Sequence, residues 1–270
     1  MPRISVVVPT HNREAFLAEA LRSVAGQTLR DWECLVCDDG STDGTRERVA
    51  SLARCDGRFR LLTLPRLGKN GAVRNHGVRA ATSPVVAFLD DDDLLLPDTL
   101  GRQLRALEAA PDAPFVFGKV ERFGGGEGTW PRRSSGGRLG LAELLRGNVI
   151  PLSTVAARRD ALFAAGLFQE STEATPDYEL WLRMVRAAPA VALDAVLVRY
   201  RVHAGNISAR RSLEAEELTC LYDRLEAEWG LPPRLLAQGR RGILRTRARL
   251  ARRPGEKLRL WLRALSPGPG

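Results

Sequence analysis

Over its first 110 residues the chain alternates short apolar runs with longer segments in which apolar residues recur every three or four positions. Short apolar runs are typical of buried strands, and the longer period is typical of helices that pack on one face. The pattern predicts strands over residues 4–8, 32–37, 59–64 and 85–89. It predicts helices over 14–25, 72–81 and 97–109, and a further helix that follows the turn at 38–45 and ends near residue 53. Four such alternations favour an α/β fold with a doubly wound, mostly parallel sheet.

The second half of the chain has a less regular pattern. A strand is predicted over 115–123, and a mobile loop over 124–137, where six of fourteen residues are glycine. After that the pattern predicts short helices near 139–146 and 158–165, a strand near 153–157, a helix that begins at Asp177 and a last strand over 195–203. Beyond residue 210 it is wholly helical, with breaks at residues 232–233 and 254–255. We therefore expect an α/β domain over 1–208 and a basic helical extension over 209–270.

Positive charge is concentrated at the end of the chain. The net charge is +9 at pH 7, but residues 234–270 hold eleven Arg or Lys and one acid, a local charge of +10 that leaves −1 for the rest. Leucine and arginine alternate in this segment, which suits a helix lying on an anionic membrane. It equally suits a helix packed on the body with a solvated basic face. Nucleic-acid binding is not expected, because Trp261 is the only aromatic residue of the segment and no platform of aromatic residues is present on which successive bases could stack.

The lengths of the apolar runs predict where the protein is located. None approaches the ~20 residues needed to span a bilayer, and the run at residues 4–8 is too short for a signal peptide. We expect a cytoplasmic protein, with peripheral contact to the inner membrane face through residues 234–265 as one alternative. Cys34 and Cys37 form a Cys-x-x-Cys pair, but on a strand residues three apart point to opposite faces, so we expect buried thiols.

Four consecutive aspartates, Asp90, Asp91, Asp92 and Asp93, directly follow the apolar run at 85–89. Adjacent carboxylates repel one another, so a folded protein keeps them in water or around a cation. In open α/β sheets ligands bind beyond the carboxyl ends of the strands, which favours the cation. The alternative is that Asp93 caps the next helix and the other acids are solvated.

Six motifs follow one another along the chain: VVVPTHNR at 6–13, DDGSTD at 38–43, GAVRNHG at 71–77, FLDDDD at 88–93, DYELWLR at 177–183 and YRVH at 200–203. In this order and approximate spacing, residues 2–208 resemble the family 2 glycosyltransferases, whose fold, shared with nucleotide-diphospho-sugar transferases, is called GT-A. The resemblance implies an inverting, metal-dependent enzyme that moves a sugar from a nucleotide-diphosphate sugar, with UDP favoured, to an acceptor hydroxyl. It implies a saccharide or lipid-linked acceptor, as in the synthesis of cell-surface polysaccharides or glycoconjugates.

The resemblance also implies roles for individual residues. Contacts with the nucleotide or sugar are expected from Pro9, Thr10, His11, Asn12, Arg13, Asp39, Arg74, Asn75, Asp90 and Asp91. Mn²⁺ or Mg²⁺ is expected on Asp92, with His203 as a further ligand, because these ions prefer oxygen ligands and accept phosphate in their shell. Purely structural roles stay open as alternatives to these contacts: a plain turn at 9–13, a helix cap at Asp39, a solvated Arg74 and a structural His203.

Asp177 matches the aspartate that serves as general base in the family. Pro176 stands where the family usually has Glu, which removes a supporting acid; Glu173 and Glu179 are the candidate replacements. The alternative for Asp177 is a simple acid at a helix N-terminus.

Two other functions remain open from the sequence. One is a sugar-phosphate nucleotidyltransferase, although the Gly-rich triphosphate loop expected after its first strand is missing. The other is a non-catalytic, membrane-associated nucleotide-binding protein, for which Pro176 is the best support.

Overall fold

A computed structural model describes residues 1–131, 136–203, 205, 211–251 and 253–265. The first part follows the predicted alternation: β1 Ile4–Thr10, α1 Glu14–Ala25, β2 Trp32–Asp39, α2 Thr45–Cys55, β3 Phe59–Leu64, α3 Asn70–Ala80, β4 Val85–Phe88, β5 Leu94–Leu95 and α4 Thr99–Ala109. The two-residue strand β5 was not predicted. The predicted strands and helices of this part are otherwise confirmed to within a few residues.

The remaining elements are β6 Phe115–Gly124, β7 Thr129–Trp130, β8 Gly137–Leu139, α5 Leu141–Leu144, a 3-10 turn Leu152–Thr154, β9 Ala156–Arg158, α6 Arg159–Ala164, α7 Pro176–Ala187, β10 Ala190–Val202, α8 Arg211–Trp229, α9 Pro233–Leu250 and α10 Pro254–Leu265. The last strand begins five residues earlier than predicted. The segment expected to be a mobile loop contains β7, which pairs antiparallel with β6. Residues 132–135 of that segment lie outside the described residues.

Over the described residues the strands form one ten-stranded sheet, with the order β3-β2-β1-β4-β9-β6-β10-β5 along its main path. The pairings β3-β2, β2-β1, β1-β4 and β6-β10 are parallel, and β9 runs antiparallel between β4 and β6. The predicted doubly wound, mostly parallel sheet is therefore confirmed. Because β1, β2 and β4 are parallel, their carboxyl ends and the loops that follow lie along one edge.

The sheet separates two apolar cores. On β2, Cys34 packs into one core and Cys37 into the other, and both thiols are buried and unpaired. The α3 helix lies very close to the sheet at Gly77, where an added Cβ would stand 2.4 Å from Val7 Cγ1 and 2.9 Å from Cys37 Sγ. This close approach fixes α3, and the residues it carries, against β1 and β2.

The helices α8 and α9 share one of these cores with the sheet. Tyr222, Leu236 and Ile243 belong to the same buried cluster as Trp181 of α7. An added Cβ at Gly239 would lie 2.1 Å from the Tyr222 hydroxyl, so the glycine lets the two helices meet. The predicted boundary at 208/209 lies outside the described residues. Within the part of the chain that the structure describes, no helix is long and apolar enough to cross a membrane.

Candidate active site

A cavity of about 760 Å³ opens at the carboxyl ends of β1 and β4. One side is lined by the β1–α1 loop and the four consecutive aspartates, and another by the start of α7. The third side comes from α8 and α9, which the sequence assigned to an extension. The described part of the C-terminal helices therefore contributes directly to the site.

Asp91 and Asp92 face the β1–α1 loop. Thr10 Oγ1 donates a hydrogen bond of 2.8 Å to Asp91 Oδ2, and Arg13 Nη1 donates one of 2.6 Å to Asp92 Oδ2. Burial, together with the charges of Asp92 and Asp90, raises the pKa of Asp91 to about 7, although Arg13 and Thr10 act in the opposite direction. The two strand ends are thus joined through their side chains, as the shared edge of the sheet predicts.

Asp93 is almost fully buried and is held by hydrogen bonds from two directions. Ser153 Oγ donates to its Oδ2 at 2.6 Å, and the backbone N–H of Arg201 donates to its Oδ1 at 3.0 Å. Burial and the charges of Asp90 and Asp92 raise the pKa of Asp93 well above its usual range. Asp93 therefore does not cap the following helix, and that alternative from the sequence is wrong.

The donor atoms of the aspartates provide an all-oxygen cluster. One carboxylate oxygen from each of Asp90, Asp92 and Asp93 lies within 4.8 Å of the others, whereas Asp91 is outside this group. Carboxylate oxygens at this separation suit Mg²⁺ or Mn²⁺, which need only one or two carboxylates beside phosphate and water. Asp92 was predicted as a ligand, whereas Asp93 was not.

His203 lies against Asp92 at the end of β10. Its Nε2 is 2.9 Å from Asp92 Oδ2, and its Nδ1 accepts a hydrogen bond of 3.1 Å from the backbone N–H of Gly205. With Nδ1 as an acceptor, the N–H that faces Asp92 is on Nε2. This contact orients the carboxylate; the role of His203 as a metal ligand stays a prediction.

Within the β1–α1 loop, Pro9, Thr10, His11 and Arg13 line the cavity. Asn12 adopts a φ of 51° and joins this loop to the one after β2. Its backbone N–H donates to Ser41 Oγ at 2.9 Å, and its Oδ1 accepts from the Thr42 backbone N–H at 2.8 Å. These contacts hold two loops together, and nucleotide binding by Asn12 stays a prediction.

Asp39, at the end of β2, fixes the loop that precedes α3. Its oxygens accept hydrogen bonds from the backbone N–H groups of Leu67 at 2.6 Å and Gly68 at 3.0 Å, and from the side chain of Arg66. Arg66 and Gly68 themselves line the cavity. Asp39 therefore shapes the rim of the site, and its contact with a base stays a prediction.

Arg74 and Asn75 are neighbours on α3 with different surroundings. The Arg74 side chain is 5% exposed and donates a hydrogen bond of 2.5 Å from Nη2 to Asp90 Oδ1, so it is not the solvated arginine of the alternative interpretation. The Asn75 side chain exchanges hydrogen bonds with the backbone of Phe168 at 2.9 and 3.0 Å and donates to Glu170. Asn75 thus secures the segment that leads to α7, and its contact with a ligand stays a prediction.

Asp177 lies in the first turn of α7 and in the cavity wall. Asn148 Nδ2 donates a hydrogen bond of 3.3 Å to its Oδ2. Burial raises the pKa of Asp177, while the Tyr178 backbone N–H, the Arg74 charge and Asn148 partly oppose the shift. A carboxyl group with a raised pKa in a cavity is suited to taking up a proton.

The two candidate replacements for the acid absent at position 176 both pair with cations. Glu173 pairs with Lys69 Nζ at 3.1 Å, and Glu179 pairs with Arg183 at 2.6 Å and Arg224 at 3.4 Å. Sequence patterns also missed Asn148 and Ser153 as site residues. Asn148 lies in a stretch for which no element was predicted, and Ser153 belongs to a 3-10 turn where the pattern had predicted the start of a strand.

Comparisons with known proteins identify the family of the chain. The family model described as Glycosyl transferase family 2 matches residues 5–165. The UDP-Glc:alpha-D-GlcNAc-diphosphoundecaprenol beta-1,3-glucosyltransferase WfgD of Escherichia coli is 28% identical over 217 residues, which are 78% of this chain and 81% of WfgD. The GalNAc(5)-diNAcBac-PP-undecaprenol beta-1,3-glucosyltransferase of Campylobacter jejuni is 40% identical over 128 residues, which are 46% of this chain and only 40% of that protein.

The fold is also found among solved structures. S. aureus TarS 1–349 in complex with UDP superposes with a TM-score of 0.75 at 20% sequence identity, over 97% of this chain and 79% of that one. At this identity the likeness supports the fold alone. Because the family model spans more than half of the sequence, the chain belongs to glycosyl transferase family 2.

Proposed function

We propose that the protein is an inverting, metal-dependent glycosyltransferase that moves a sugar from a UDP-sugar to the hydroxyl of a saccharide acceptor. The observation that carries the proposal is that one cavity contains both the cluster Asp90, Asp92 and Asp93 and the raised-pKa carboxyl of Asp177. The cluster provides a place for the diphosphate, and Asp177 provides a base for the acceptor hydroxyl.

The reaction follows from these positions. The acceptor hydroxyl loses its proton to Asp177 as its oxygen forms a bond to the anomeric carbon. The bond from that carbon to the diphosphate oxygen breaks on the opposite face, and the electron pair leaves with UDP. Attack opposite the leaving group inverts the anomeric carbon, and Asn148 holds the carboxylate of Asp177 by its hydrogen bond.

The chain's own residues also fit the donor. Arg74 and Arg13 carry positive charge to the acidic cluster and can contact the diphosphate, and the β1–α1 loop offers backbone N–H groups before a helix. Asp92, with Asp90 and Asp93, would hold Mn²⁺ or Mg²⁺. Such an ion, when bound, neutralises charge that builds on the departing diphosphate.

Six arginines line the cavity. Arg13, Arg66 and Arg74 each pair with an aspartate, but three other arginines that line the cavity have no carboxylate partner among the described residues: Arg122, Arg146 and Arg211. Two similar enzymes carry names that place a diphosphate on their lipid-linked acceptors. These observations support an acceptor saccharide linked to a lipid diphosphate.

The C-terminal helix suits a place at the membrane. In α10, Leu260 and Ala264 are buried, while Leu258, Leu262 and Leu265 are 61%, 57% and 66% exposed and share one face. The same helix carries Lys257, Arg259 and Arg263, and it belongs to the segment 234–270, whose net charge is +10. We propose peripheral contact with an anionic cytoplasmic membrane surface, where lipid-linked acceptors are exposed.

Isothermal titration with UDP, GDP, dTDP and UTP, each with and without Mn²⁺, tests the function. The proposal predicts that UDP binds and that Mn²⁺ tightens its binding. Preferred binding of UTP together with a sugar 1-phosphate would support a nucleotidyltransferase instead. No binding of any nucleotide would contradict both enzymes and the non-catalytic nucleotide-binding protein alike.

A further inference from the structure

A single carboxylate from α8 accepts hydrogen bonds from the backbone just before Asp177. Glu217 Oε1 accepts a hydrogen bond of 2.8 Å from the Glu173 N–H. Its Oε2 accepts three bonds of 2.9 Å, from the N–H groups of Ala174 and Thr175 and from the Thr175 hydroxyl. One side chain thus fixes three consecutive residues that lead into α7.

This contact lies just before α7, on the N–H groups of residues 173–175, and not on the first N–H groups of the helix itself. The first N–H groups of a helix have no partner within it, and a side chain at the N-cap position commonly supplies one. In α7 that position is Thr175, whose side chain makes no cap bond because its hydroxyl is turned to Glu217. Glu217 therefore holds the beginning of the helix from outside, and a negative charge near a helix N-terminus is itself favourable.

The position of Asp177 depends on this anchor. Thr175 is followed by Pro176, whose ring fixes its φ angle, and Asp177 comes next. Little freedom therefore separates the anchored amides from the carboxyl group. The contacts described for Glu173 and Glu179 are with cations, so the acid that organises this turn comes from α8, which the sequence placed in a separate extension.

We propose that Glu217 is a positioning residue, which holds residues 173–175 so that the carboxyl group of Asp177 faces the cavity. The proposal rests on the proposed function, in which Asp177 is the base. Through Glu217, the C-terminal helices act on the rate of the reaction as well as lining the cavity. Glu217 itself touches no reacting atom.

The test compares Glu217→Gln with the matched control Glu216→Gln, an exposed glutamate on the same helix. In Glu217→Gln one carboxylate oxygen becomes an NH₂ group, which cannot accept hydrogen bonds from N–H groups. Hydrogen–deuterium exchange of the peptide over 173–180 measures the anchoring directly in the full-length protein. Transfer kinetics and UDP affinity measure its consequence.

We expect faster exchange over 173–180, a kcat lower by about 10- to 100-fold and a Kd for UDP within twofold of wild type, since an error of ~1 Å in placing a catalytic group costs up to about 100-fold. Glu216→Gln should match wild type in each. Glu217→Asp, which keeps both oxygens, should recover part of kcat.

Unchanged exchange in Glu217→Gln would overturn the anchoring, whether or not the protein is active. Faster exchange with an unchanged kcat would overturn the positioning role. A fall in kcat that is accompanied by an equal fall in UDP affinity would overturn it as well. A wild-type protein that transfers no sugar would instead overturn the proposed function, and the exchange data would still decide whether Glu217 fixes the turn.

Discussion

The buried guanidinium of Arg74 donates a hydrogen bond of 2.5 Å to Asp90, and its charge also partly offsets the effect of burial on the pKa of Asp177. One cation thus acts on both the acidic cluster and the proposed base. Its place on α3 is fixed by the close contact of Gly77 with the sheet, one helical turn away.

Replacing Arg74 by Gln should therefore change the pH dependence of the reaction. Without the cation the pKa of Asp177 rises further, so the acid limb of kcat moves to higher pH, and the rate at neutral pH falls by about 10- to 100-fold. Arg79→Gln is the control, because Arg79 lies on the same helix but is half exposed. An acid limb that stays in place would show that Arg74 does not act on the base.

Substituting Asp177 by Asn should separate catalysis from stability. Transfer should fall by about 10²- to 10⁴-fold, the usual contribution of a general base, while UDP binding is kept. The folded pKa of Asp177 is raised from 3.8, so its charged form is less stable in the folded protein than in the unfolded chain. The wild type therefore loses stability as pH rises from about 3.8 through the folded pKa, and the variant avoids that loss.

Urea unfolding of both proteins between pH 3.5 and 8 measures this difference. The free energies of unfolding should be similar at the acid end, where the carboxyl group is protonated in both states. Toward neutral pH, Asp177→Asn should become the more stable protein. A variant that becomes less stable than wild type as pH rises would mean that the folded structure stabilises the charged form.

Asp92→Ala should weaken the effect of Mn²⁺ on UDP binding. The variant removes one of three clustered carboxylates, so we expect Mn²⁺ to improve UDP affinity by at most a small factor, compared with about tenfold or more in wild type. Asp98→Ala, an aspartate paired with Arg102 on the surface, is the control. Equal Mn²⁺ effects in Asp92→Ala and wild type would remove Asp92 from the proposed metal site.

Leu258→Asp should reduce binding to vesicles that contain anionic phosphatidylglycerol. Burial of one leucine contributes about 1.5–3 kcal/mol, so the loss should be about tenfold or more, and binding should also weaken with added salt. Phe163→Asp, at an exposed apolar residue of α6, is the control. Vesicle binding that both variants share with wild type would exclude α10 as the contact.

The sequence predicts the framework well because the relevant signals are local. Apolar runs mark the strands, and parallel strands bring their carboxyl ends to one edge, which is why Thr10 and Asp91 could be expected to meet. The breaks between the last three helices could be located because proline interrupts the helical pattern. That α8 and α9 share the main core could not be predicted, since any amphipathic helix offers a similar face.

Contacts between residues that are distant in the sequence could not be predicted for the same reason. Glu217 lies 42 residues from Thr175, and nothing in its helical segment distinguishes it from its neighbours. Asn12 and Asn75 show the same limit: their motifs suggested ligand contacts, which stay predictions, but did not reveal that their amide groups hold neighbouring loops in place. A motif identifies residue types at a site, but packing decides which way each side chain turns.

The proposed glycosyltransferase activity is tested most directly by the release of nucleoside diphosphate from UDP-, GDP- and dTDP-sugars, measured with and without Mn²⁺ for wild type and Asp177→Asn. Wild type should release UDP from at least one UDP-sugar in the presence of Mn²⁺. Asp177→Asn should release it at least about 100-fold more slowly while binding UDP equally well. Release by Asp177→Asn at the wild-type rate, or no release from any donor by wild type, would contradict the proposal.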